Sequence, residues 1–190
     1  MPLRHGLAVV VLLFPASSFA EEAVPQVSLT VSPIHLLLPV GEVTAEVRIL
    51  DSLGAAGIVG LGSIALDVDD PDRPSRKERF FFWEVGGQAR WYPIGDFDHG
   101  MEVGLQILYL GLSGDVEQDG VTYSGLANGV AIGPFLGYKL VTGAGFTFDA
   151  QLGVQWLGVF ASAESSEGAE ASEKGDEVLP ILRLNVGWSL

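Results

Sequence analysis

Along most of the chain, apolar and polar residues take turns. From Phe146 the even positions read Phe146, Phe148, Ala150, Leu152, Val154, Trp156, while the odd ones read Thr147, Asp149, Gln151, Gly153, Gln155. A period of two puts one apolar and one polar face on a strand. The last segment repeats this: Leu182, Leu184, Val186, Trp188 and Leu190 interleave with Arg183, Asn185, Gly187 and Ser189. So do Val43 to Ile49, Phe81 to Trp91 and Met101 to Tyr109, after which the alternation blurs. The pattern predicts eight strands, at 26–38, 41–50, 54–66, 80–92, 99–112, 123–140, 144–160 and 178–190. The facing of 54–66, a small-residue stretch, is the least defined. Residues 120–138 carry no charge, and Gly125, Gly129, Gly133 and Gly137 recur every four. That spacing suits a small-residue helix stripe, but it is also two strand periods, and Asn128 and Pro134 interrupt a helix.

Ten residues at ~3.3 Å each, tilted by ~40°, rise ~25 Å, the height of the apolar band of an outer-membrane barrel. The connections alternate in size. Asp51 to Leu53, Pro93 to Asp98 and Val141 to Gly143 are short, whereas 67–79, 113–122 and 161–177 are long and polar. Short periplasmic turns and long outer loops mark such barrels, so the long loops are expected outside and both termini in the periplasm. The tight connection at Pro39-Val40-Gly41 is the exception. Aromatic residues then fall at two levels of the apolar face, Phe81, Trp83, Tyr109 and Trp156 near the outer rim and Trp91, Tyr138, Phe146 and Trp188 near the inner one, as interfacial girdles do. A soluble β-sandwich would alternate too, but would not place aromatics at both ends of the apolar face.

The polar face carries Glu42, Glu46, Arg48, Glu84, Gln88, Arg90, Glu102, Gln106, Lys139, Asp149, Gln151, Gln155, Arg183 and Asn185. Eight strands leave a bore barely wider than its own side chains, so these groups are expected to pair across a closed polar lumen.

Composition narrows the picture. A length of 190 residues suits one domain. With 48% apolar and only 18% charged residues the chain is not a disordered one, and 25 glycines argue against a helical one. A net charge of −14 argues against a nucleic-acid partner. There is no Cys, which removes disulfides, thiol catalysis and thiolate metal sites. Residues 1–20 read as an export signal peptide, with Arg4, an apolar run from Leu7 to Phe14, and Ser18 and Ala20 before the cut. The barrel domain is expected over 21–190.

The run Gly87-Gln88-Ala89-Arg90-Trp91-Tyr92-Pro93 and the ending Asn185-Val186-Gly187-Trp188-Ser189-Leu190, with the strand count and loop asymmetry, resemble small bacterial outer-membrane β-barrel proteins. These are the transmembrane domain of the outer membrane protein A type and its opacity-protein relatives. The resemblance is one of pattern along the whole exported chain. It implies an all-β, eight-stranded antiparallel up-and-down transmembrane barrel, monomeric, set in outer-membrane lipid and lipopolysaccharide. It also implies recognition of the last strand by the barrel-assembly machinery, with Trp188 two places short of the terminal position.

The first expectation for function is a structural or surface-interaction role through the outer loops, without cofactor, metal or catalytic residues. A narrow ion or small-solute channel is the second. A lipid A-modifying enzyme is the third, since some eight-stranded barrels place a His, a Ser and an acid on the wall. Here His35 follows Ser32 but has no acid beside it in sequence, and His99 sits at an inner turn. Asp67, Asp69, Asp70 and Asp72 lack the spacing of a calcium loop.

Overall fold

A computed structural model describes residues 25–37, 39–70, 73–118, 121–165 and 170–190. The expected leader lies outside the described residues. The elements are β1 (Val27–Val31), α1 (Pro33–Leu36), β2 (Val40–Leu50), β3 (Leu53–Asp70), β4 (Arg73–Gly95), β5 (His99–Gln118), β6 (Val121–Val141), β7 (Phe146–Ser165) and β8 (Glu170–Ser189). Each strand pairs antiparallel with the next, and β8 returns to β1, closing an eight-stranded up-and-down barrel.

The register fixes its dimensions. Followed round from Val31, the partners are Val43, Val59, Val85, Tyr109, Val130, Gly158 and Asp176, yet at closure Val31 meets Val186. The stagger is therefore ten residues (186 − 176). Ten residues of ~3.3 Å over eight strand spacings of ~4.8 Å give a strand tilt of about 40°.

The alternation sorts side chains to the two faces. Leu29, Val43, Val59, Val85, Tyr109, Ile132, Val154 and Leu182, one from each strand, are all exposed on the outside. Their neighbours Thr30, Glu42, Ile58, Glu84, Leu108, Ala131 and Arg183 are buried inside. An unbroken apolar exterior around a polar-cored cylinder is the reverse of a water-soluble surface.

Three sequence expectations need correction. The first strand ends at Val31 instead of reaching residue 38. Pro33 has no N–H for a ladder and a φ already set for a helix, so it opens α1 at the first turn, and the Leu37 N–H closes that turn on the Ile34 carbonyl at 3.1 Å. Secondly, most of 67–79, 113–122 and 161–177 is strand and not loop, because cross-strand pairing continues to Asp70↔Arg73, Gln118↔Val121 and Glu164↔Glu170. Polar residues do not end a ladder; they end only its apolar face. Thirdly, the interior is not polar throughout: Ile58, Leu108 and Ala131 are buried together within it.

At the opposite end the connections are tight. Gly95 and Gly145 hold φ of 87° and 88°, a region that excludes most side chains, and so turn β4 into β5 and β6 into β7. Asp96 Oδ1 accepts the backbone N–H groups of His99 at 3.0 Å and Asp98 at 2.9 Å.

The β1–β8 seam is short. Its ladder runs only from Ser28↔Ser189 to Val31↔Val186, while β5 and β6 pair from His99↔Leu140 to Gln118↔Val121. Among the described residues no ladder joins β8 above Val186 to β3 beyond Ser63, and α1 lies at the foot of this break, against β2 and β8. At Gly187 a Cβ would run into the Leu29 carbonyl oxygen and stand 2.7 Å from the Thr30 Cα. A Gly187→Val chain should therefore lose about 2 kcal/mol or more in urea unfolding from detergent micelles, whereas Gly57→Ala, which meets nothing within 4 Å, should match the parent.

The two N–H groups, His99 foremost, hold the Asp96 carboxyl below its ordinary value against a smaller opposing effect of burial. A lowered folded-state pKa stabilises above the unfolded value of about 3.9 and is lost as pH falls through the folded one. Asp96→Ala should accordingly be less stable than the parent at pH 7, with the gap closing as the pH falls below the unfolded value and through the lowered folded one in the same unfolding assay.

Candidate functional site

The interior is stacked in three tiers, and the alternation of each strand decides which side chains reach them. Nearest the short turns, the ring of Phe97 is fully buried in the barrel end. Lys139 Nζ lies 3.3 Å from its centroid, Arg48 4.7 Å away, and Tyr92 meets it edge-on at 6.2 Å. Arg48 also donates to Asp98 Oδ1 at 2.7 Å and to the Pro25 carbonyl at 2.8 Å. Beside them Ser28, Ser189 and Thr147 form a chain of hydroxyls with two 2.6 Å contacts.

The middle tier is centred on Arg90. Its Nη1 reaches Glu46 Oε2 and Asp149 Oδ2 at 3.0 Å each and Glu102 Oε2 at 3.4 Å. Lys139 Nζ pairs with Glu46 Oε2 at 2.8 Å, and the Tyr92 hydroxyl donates to Glu46 Oε1 at 2.6 Å. The amides complete it. Gln88 donates to Gln151 at 3.0 Å and to Gln106 at 3.2 Å, Gln106 to Gln155 at 2.6 Å, and Gln151 to Glu102 at 2.8 Å. Because β4 and β7 are not neighbours, Arg90–Asp149 and Gln88–Gln151 cross the bore. Three carboxylates face two cations here, and every one of these charges is buried.

Above it lie Glu42, Glu84 and Arg183, with Arg183 Nη1 2.6 Å from Glu42 Oε1. The same part of the bore also holds an apolar cluster: Ile58, Leu108 and Ala131 are buried together, with Leu110 and Leu157 against them. Phe135 also turns inward, its ring filling the space that a Cβ on Gly104 would occupy.

The structure thus places Glu42, Glu46, Arg48, Glu84, Gln88, Arg90, Glu102, Gln106, Asp149, Gln151, Gln155 and Arg183 on the inner face. It separates them into the Arg48 group at the base, the Arg90 group above and the Glu42–Glu84–Arg183 group apart from both. Lys139 and Asn185, expected there too, belong to the same interior, as do Tyr92 and Phe97. The sequence signal for Tyr92 was its parity, and Phe97 had none, since it reaches the bore from a turn. Phe81, Trp83, Trp91, Tyr109, Tyr138, Phe146, Trp156 and Trp188 project outward, with Trp83 folded over Gly111 and 5.4 Å from Tyr109, and Phe146 edge-on to Trp188 at 6.1 Å.

His35 does acquire an acid neighbour. Its Nε2 is 3.6 Å from Glu42 Oε2 and its Nδ1 is 2.7 Å from Ser32 Oγ. The trio has the composition of a nucleophile, a base and an acid. However, Ser32 is 1% exposed and its hydroxyl donates to the Leu184 carbonyl at 3.1 Å. Its proton and its access are both committed, so the string orients the imidazole and does not present a nucleophile.

Removing the Arg90 side chain would leave three buried carboxylates facing each other with Lys139 alone. Arg90→Met should cost about 3–5 kcal/mol in unfolding free energy. Adding Glu102→Gln to it should restore part of that loss, a coupling read from a double-mutant cycle.

No protein-family model matches the sequence, and no curated protein matches it. Among solved structures, the fold is similar to a major outer membrane protein from Thermus thermophilus, with a TM-score of 0.56 at 12% identity over 86% of this chain and 99% of that one. A second match is Acinetobacter baumannii CarO, at a TM-score of 0.45 and 13% identity over 90% of this chain and 100% of that one.

Proposed function

We propose that this chain is an outer-membrane β-barrel with a closed bore, which serves as a structural and surface-interaction element. The observation that carries the reading is the set of hydrogen bonds crossing the bore from β4 to β7, above a base stoppered by Phe97. In an eight-stranded barrel such contacts leave no water-wide path. The apolar exterior calls for lipid, and the fold shared with an outer-membrane protein supports that membrane.

The short-turn end, with both termini, faces the periplasm in this reading. The paired arms at the other end supply the interaction surface. A strand of 20 residues such as β5 is about 50 Å long measured along the barrel, twice the apolar band, so half of it stands clear of the membrane. Lipid and lipopolysaccharide surround the monomeric barrel, and β8, with its outward Trp188, is the strand offered to the assembly machinery. A narrow ion passage is the second reading, and the excess of carboxylates over cations around Arg90 favours a cation there.

Planar-bilayer recording of the folded chain separates the two. The closed-bore reading predicts no resolved steps in the parent, whereas a narrow ion passage predicts small cation-selective ones. Sustained cation-selective steps, unchanged when the arms of β3 and β4 are shortened, would contradict the closed bore.

A further inference from the structure

The group around His35 has a feature that pairing alone does not explain. The single Ser32 hydroxyl proton is given to the Leu184 carbonyl, so the 2.7 Å contact with His35 Nδ1 is one in which the ring nitrogen donates. The lone pair of the neutral imidazole then sits on Nε2, and it faces Glu42 Oε2 at 3.6 Å. Glu84 completes the group: one ligand atom from each of His35, Glu42 and Glu84 lies within 4.8 Å of the others. Glu42 and Glu84 are 2% and 5% exposed. Glu42 Oε2 and Glu84 Oε1 accept no hydrogen bond among the described residues. Three potential ligand atoms therefore converge here. Arg183, against Glu42 Oε1, offsets only one of the two carboxylate charges.

We propose that His35, Glu42 and Glu84 bind a divalent first-row transition-metal ion of the Zn²⁺ type. A neutral imidazole with two carboxylates suits such an ion better than Mg²⁺ or Ca²⁺, which prefer oxygen alone. Tetrahedral ligands on bonds of ~2.1 Å are about 3.4 Å apart, so the group must close by up to about 1.4 Å, within reach of two flexible Glu side chains. Ser32 sets the ring through Nδ1, as the outer partners of metal-bound histidines do. The three ligands come from α1, β2 and β4 at the foot of the break above the β1–β8 seam. The ion would tie the end of β1 to the wall where the ladder stops.

The test uses tag-free chain folded in detergent micelles, treated with chelator, and titrated with ZnCl₂ by calorimetry while the unfolding temperature is followed. The expected result is one ion per chain with a Kd in the micromolar range or below, and an unfolding temperature that rises with Zn²⁺. His35→Ala and Glu84→Gln should each weaken binding at least tenfold and abolish that rise, and Ser32→Ala should weaken it about tenfold. His99→Ala, at the far end, should bind like the parent, and Mg²⁺ or Ca²⁺ at equal concentration should not saturate. Absence of saturable Zn²⁺ binding by the folded parent would overturn the proposal, as would binding unchanged in Glu84→Gln. So would an NMR titration showing His35 doubly protonated at pH 7 in the presence of Zn²⁺, since the ring would then serve as a cation for Glu42.

Discussion

In hydrocarbon a backbone N–H or C=O without a partner costs several kcal/mol, and a strand has such groups along both edges. The sheet must therefore return on itself, and nearly everything else follows from how it does so. Eight strands with a stagger of ten residues fix the tilt and the width of the bore. The width decides that inward side chains meet those of the opposite wall. The pleat decides which residues those are, and the lipid outside decides that their neighbours are apolar.

Closure is not evenly spread. The junctions from β2 round to β8 have long ladders, whereas both edges of β1 are short. The closing seam rests on the few residues from Ser28 to Val31, helped by the Leu190 carbonyl accepting the N–H groups of Gln26 and Val27. Pro33 is the cause, since it stops β1 where its neighbours continue. The polar groups nearest this weak point, His35, Glu42, Glu84 and Arg183, are those not absorbed into the Arg90 network. A barrel that gives up ladder bonds at one place holds its loosest cluster of charge there. The middle tier shows the opposite condition, with opposed walls joined by several bonds.

Much of this was legible in the chain. The two-residue period separated the faces of β2, β4, β7 and β8, and with them Glu46, Arg90, Asp149 and Arg183 on one side and Trp91, Leu152 and Trp188 on the other. The period carries no information on where strands end once the membrane is left behind, so the polar arms of β3 to β8 read as loops. Nor does it report polarity within the bore. Ile58, Leu108 and Leu157 sit on the inner face as the parity requires, but an apolar residue at an inward position looks in sequence like a blurred pattern. The His35–Glu42–Glu84 grouping was the least legible. It needs the turn at Pro33 to carry His35 back over β2, and the register of β2 through β3 to β4 to bring Glu84 level with Glu42.

Photolabelling of the folded chain in lipid vesicles with a membrane-soluble carbene precursor, mapped at each position from 147 to 156 on β7, tests the closed two-faced cylinder most directly. The account predicts strong reaction at even positions and little at odd ones, alternating along the whole stretch. Equal reaction at all positions, or a repeat of three to four residues, would contradict it.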